Sequence, residues 1–116
     1  MDFYHIYCDL KPGVKDMDFA ESVQRYFSYL KDQSLIEGSR ITRRKLGLGP
    51  DDGTEFHMWL ETRDLAQLDA AFNHVSSRSE PVESFHHAVN SKVQNVRFTL
   101  YRDFPDPERK RGEEKF

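Results

Sequence analysis

Residues 96–103 constrain the chain more than any other stretch. Val96, Phe98 and Leu100 are apolar and spaced by two, with the ring of Phe104 one step beyond the run, and Arg97, Thr99, Tyr101 and Asp103 stand between them. That is the period of a half-buried β-strand with two unlike faces. One face requires a core. The other carries an arginine, a threonine and a tyrosine, which suit a partly polar surface or cavity. The expectation is that the rest of the chain lays helices on the first face and leaves the second for a partner subunit, a ligand, or both.

A length of 116 residues is ordinary for one domain and supports one core. The formal net charge of −3 argues against general nucleic-acid binding, because the phosphate backbone demands a positive surface. The single cysteine, Cys8, cannot close an intramolecular disulfide, and a reducing cytoplasm is the expected setting. Met1-Asp2-Phe3 runs directly into alternating residues that include His5 and Asp9, without the basic and apolar regions of a signal peptide. No window approaches the roughly 18 apolar residues of a membrane span.

Taken in order, residues 3–10 place Tyr4, Ile6, Cys8 and Leu10 on one side, the better core face, and Phe3, His5, Tyr7 and Asp9 on the other. Lys11-Pro12-Gly13 breaks that strand. Asp16 or Asp18 can cap a helix running to about Asp32, with Phe19, Val23, Phe27 and Leu30 as its apolar stripe and Tyr26 and Tyr29 beside it. Ile36–Leu46 is a basic edge strand, followed by a turn-rich loop from Gly47 to Gly53. Residues 55–61 alternate strictly, Phe56, Met58 and Leu60 opposing His57 and Trp59, and predict a central strand. Thr62 or Asp64 can cap a second helix with Leu65, Leu68, Phe72 and Val75 inward. A short helix from Val82 to about Ser91 carries Val82, Phe85 and Val89, and the last strand spans Val93–Phe104. Residues 1–104 form the expected domain, and 105–116 a charged, flexible tail.

The order is βαββαβ, an α+β chain. Short connections and right-handed crossovers fold it into an antiparallel sheet of order 4-1-3-2 with the helices on one face. The other face displays Phe3, His5, Tyr7, His57, Trp59, Arg97, Thr99 and Tyr101, more aromatic surface than a wet sheet should leave uncovered.

This pattern resembles the ferredoxin-like dimeric α+β barrels, which include the stress-responsive A/B barrel proteins and the antibiotic-biosynthesis monooxygenase-like group. Within that superfamily it is similar to a subset of small bacterial proteins. The resemblance rests on the βαββαβ order, on the strand Glu55–Glu61 leading straight into the helix start Asp64-Leu65-Ala66-Gln67-Leu68, and on the aromatic free face. It implies a homodimer whose two sheets close a barrel, with a pocket inside it or at its mouth. Members include cofactor-independent oxygenases, haem-handling enzymes, isomerases of small rings and proteins without assigned activity, so fold alone transfers no chemistry.

His5 and His57 fall on neighbouring strands and one face, with Tyr7 and Trp59 beside them. Such a cluster reads either as a pocket in which a histidine moves a proton and a tyrosine orients an oxygen, or as a dimer interface in which the rings supply contact area. The interface reading is the favoured one. Arg40, Arg43, Arg44 and Lys45 precede Gly47-Leu48-Gly49 and read as an anion cradle or, preferably, as a solvated edge offset by Asp51 and Asp52. Strand parity leaves open whether Arg43 or Arg44 faces the barrel. His86 and His87 diverge by about 100° on a helix, so they do not form a metal pair. Nothing selects His86 or His57 as an axial haem ligand, and no cofactor or metal is assigned. Cys8 reads as a buried hydrophobe.

The sequence thus describes a homodimeric barrel with a partly polar, aromatic pocket for a small ligand. The alternative is a cofactor-independent oxygenase or isomerase of a small ring compound. In that case His5 or His57 is the base, and Tyr7, Trp59, Arg97 and Tyr101 position the substrate, with Arg43 and Arg44 as further ligand contacts. A third reading is a regulatory subunit that holds an acidic partner on residues 40–45.

Overall fold

The computed structural model describes residues 1–50, 53–105, 107 and 109–112. Asp51 and Asp52, and much of the tail, therefore lie outside the described residues. The chain runs through β1 (Asp2–Leu10), α1 (Asp16–Asp32), β2 (Gly38–Arg43), β3 (Phe56–Thr62), α2 (Leu65–Ser76), α3 (Val82–Asn90) and β4 (Val93–Arg102). The strands form one antiparallel sheet ordered β2-β3-β1-β4, the predicted order read from the opposite edge. Among the described residues no helix is long and apolar enough to cross a membrane.

Alternation in β1 and β3 does what the period requires. Cys8, Phe56, Met58 and Leu60 are buried beneath the helices, and Tyr4, Ile6 and Leu10 pack against them. The α1 stripe of Phe19, Val23, Phe27 and Leu30 is wholly buried, and the Phe19 and Phe56 rings meet edge to face at 5.0 Å. Neither Asp16 nor Asp18 occupies the cap position of α1. Lys15 does, without a side-chain bond, and Asp16 instead accepts from the Met17 amide one residue on. The helix closes with Ser34 at φ 59°, where Leu35 N–H reaches back to the Leu30 carbonyl at 2.9 Å in the manner of a left-handed C-terminal cap.

Three expectations need correction. The second strand is shorter than Ile36–Leu46, because Ile36 is buried ahead of it in the connection from α1. The inward face of α2 is Gln67, Leu68 and Ala71, while Leu65 and Phe72 stay substantially exposed. The polar residue sets that rotation. Asp64 accepts from the Gln67 amide at 2.9 Å, and the Gln67 side chain accepts from Arg63 N–H at 2.8 Å and donates to the Ser34 carbonyl at 3.1 Å. Lastly, the helices do not cover the apolar face of β4. Phe98 and Leu100 are 57% and 52% exposed, and Phe104 83%.

A bulge in β4 matters to the core. The pairing shifts between Tyr7 and Asp9, and Asn95 takes φ 56° while its amide reaches Asp9 at 3.1 Å. One extra residue reverses the alternation there, so Val93 and Val96 both pack against the core.

Candidate functional site

The two faces of the sheet present different concavities. On the open face Tyr7 stands opposite His57 and Arg97, and His5 opposite Trp59 and Thr99. That register sets imidazole beside imidazole: His5 Nδ1 and His57 Nε2 lie 2.7 Å apart and share a hydrogen bond. The Tyr7 ring stacks on His57 at 4.4 Å and 5°, Tyr101 meets His5 edge-on at 5.0 Å, and Trp59 lies 5.1 Å from His57. Trp59 Nε1–H donates to Glu61 at 3.0 Å. Together these groups floor a shallow groove of about 540 Å³.

A nitrogen-to-nitrogen bond needs one donor and one lone pair, so the pair holds at most one added proton before the bond breaks. Burial lowers both imidazoles from their usual 6.5, and for His57 the charge of His5 lowers it further. The pair is thus neutral near pH 7 and competent to accept a proton.

At the loop end of this face lies a cleft of about 460 Å³ that Tyr7, His57, Arg44, Arg97 and Thr99 line together. The register settles the parity left open by the sequence. Arg43 stands opposite Phe56, on the helix side, with its guanidinium 5.2 Å over the Phe56 ring and paired to Asp16 at 3.0 Å and Glu55 at 2.6 Å. Those two carboxylates hold it above its already high ordinary pKa, the hydrogen bond that Arg43 donates to Glu55 contributing most. Arg44, just past the strand, turns into the loop and donates to the Pro50 carbonyl at 3.0 Å.

Sequence reasoning missed the second concavity. Between the sheet and the three helices lies an apolar cavity of about 200 Å³. Its wall includes Ile6, Leu30, Ala71 and Val93, and its polar contributors are Tyr4, Tyr26, His86 and Asn90. Phe72 and Phe98, both substantially exposed, line it as well. Burial, helped by the nearby Tyr4, pushes the Tyr26 phenol up to about 12, and burial also raises Tyr4. Both phenols therefore remain protonated donors. The edge of His86 approaches Tyr26 with centroids 5.9 Å apart. The sequence signalled only its polar groups, a tyrosine among the core-facing residues of β1 and another at the border of the α1 stripe; the space itself, left where α2 offers Ala71, gave no such signal.

Cys8 lies on the core side, fully buried, with its thiol pushed up to about 11 by burial and then by Asp9. That is the environment of an inert hydrophobe rather than a nucleophile. Among the described residues no three His, Cys, Asp or Glu side chains come together as a metal site.

Sheet order, connectivity and helix placement define a ferredoxin-like α+β protein. The chain belongs to the family of unknown function DUF6614, whose model matches residues 1–116. No protein of curated function matches the sequence. Its fold is similar to that of At3g17210 from Arabidopsis thaliana, with a TM-score of 0.71 at 8% identity over 89% of this chain and 95% of the other. It is also similar to SnoaB, a cofactor-independent oxygenase from Streptomyces nogalater, with a TM-score of 0.67 at 8% identity over 93% and 97%. A dimeric ferredoxin-like protein of unknown function from Jannaschia sp. CCS1 matches with a TM-score of 0.61 at 13% identity over 89% and 100%.

Proposed function

We propose that this protein works as a homodimer in the cytoplasm, its open sheet faces meeting around the His5–His57 cluster, and that the helix-face cavity of each protomer holds a small ring compound. The cavity carries the reading. It is apolar, it is walled by three helices and the sheet, and it has a few polar groups at its margin, the usual anatomy of a small-molecule site. Its volume of about 200 Å³ suits a single ring, since a dry cavity of about 150 Å³ already takes up benzene. The Tyr26 phenol and His86 give such a ring a polar substituent to meet. The dimer is supported by the aromatic density of the open face, where Tyr101 is 58% exposed, and by the dimeric neighbour from Jannaschia.

Calorimetric titration with toluene and phenol tests the cavity. Both should bind, phenol more tightly. Ala71→Leu, which fills the space, should weaken both at least about tenfold, and Tyr26→Phe should remove the preference for phenol. Failure of either probe to bind, or indifference to Ala71→Leu, would overturn the reading.

The 2.7 Å bond between His5 and His57 favours a second reading: cofactor-independent oxygenation or isomerisation of a small ring inside a closed barrel. The imidazole pair would take the proton, and Tyr7, Trp59, Arg97 and Tyr101 would position the substrate. SnoaB supports it only as a protein of the same fold with such an activity. The two readings separate cleanly, because His57→Asn should abolish turnover under the second and leave toluene binding intact under the first.

A further inference from the structure

Two buried hydroxyls in the cleft beside His57, the Oγ1 atoms of Thr54 and Thr99, have no hydrogen-bond partner among the described residues. Buried hydroxyls are ordinarily paired, and an exception points to a group that completes them. Arg44 in the same cleft is partly buried, and its bond goes to a neutral acceptor, the Pro50 carbonyl. Among the described residues no carboxylate pairs with it, so most of its N–H donors face a ligand of opposite charge. Two glycines leave room for this guanidinium. A Cβ at Gly49 would lie 3.0 Å from it, and one at Gly53 would overlap it. On the inner wall stand Tyr7 and His57, stacked face to face, and His57 has committed Nε2 to His5, which leaves Nδ1 for a ligand.

We propose that this cleft binds a small planar carboxylate. The carboxylate lies in the fork of Arg44 with the hydroxyl of Thr54, and the ring packs on Tyr7 beside His57, toward the end of the cleft that Thr99 lines. Arginine suits that head group because its planar fork matches both oxygens at once. A flat body suits a wall of stacked rings. The site is on the opposite side of the sheet from the helix-face cavity and does not depend on it.

Titration of the full-length protein with benzoate, alongside benzamide and inorganic phosphate, tests the assignment. Benzoate should bind and perturb Trp59 fluorescence, since the indole lies 5.1 Å from the His57 ring, and the uncharged benzamide should not bind. Arg44→Gln should weaken benzoate at least about tenfold and Thr54→Val about threefold, with toluene binding unchanged in both. If Arg44→Gln does not fold, Arg44→Lys, which keeps the charge and loses the fork, should still weaken benzoate. Absence of benzoate binding, affinity unaffected by either Arg44 variant, or phosphate binding as tightly as benzoate would each overturn the proposal.

Discussion

His5 and His57 show how much one register decides. Neither imidazole is unusual in the sequence, yet the strand pairing sets their nitrogens 2.7 Å apart on a half-buried face. Both are lowered from 6.5, so the unfolded chain takes up protons before the folded one does. Their contribution to stability is complete above 6.5 and is lost as pH falls through the folded values. Urea midpoints measured on either side of 6.5 should therefore drop on acidification, and His57→Asn should flatten that dependence. An unchanged slope in the variant would separate acid sensitivity from the pair. The shared face of His5, His57, Tyr7 and Trp59 was legible from alternation alone, because a period of two assigns faces without knowledge of neighbours. The fate of Arg43 was not legible, since its face depends on where β2 pairs with β3, and basic strands carry little apolar pattern to fix it.

Among the elements, α2 departs furthest from its sequence. Spacing alone selects Leu65, Leu68, Phe72 and Val75, but the helix turns on Gln67, whose side chain ties the Arg63 amide to the Ser34 carbonyl. Hydrogen bonds to a distant loop leave no trace in a hydrophobic period, so this rotation could not be read in advance. It makes a counterintuitive prediction for denaturation. Gln67→Leu should cost about 1–3 kcal/mol, because the buried Gln67 side chain gives up both of its hydrogen bonds to the backbone, whereas Leu65→Ala should cost less than about 1 kcal/mol. The reverse ranking would show that the apolar stripe orients the helix after all. The β4 bulge is a similar case: Asn95 bends the strand so that Val93 joins Val96 at the core, where simple alternation would have sent one of them to the other face.

Across the whole molecule, the sheet divides its labour. Connectivity and strand order followed from the sequence because short links and handedness leave few topologies. The helix-face cavity did not, because it is the space left when α2 offers Ala71 where a larger side chain would have met the sheet, a property of three helices and a sheet at once. If the open face is the seam between protomers, its rings supply the contact and the cavities stay independent of assembly. Sedimentation equilibrium at micromolar concentration tests this division most directly. The wild type and Ala71→Leu should both sediment as dimers and Trp59→Glu, which places a charge among the stacked rings, as a folded monomer. A wild-type monomer, or a Trp59→Glu dimer of undiminished strength, would contradict it.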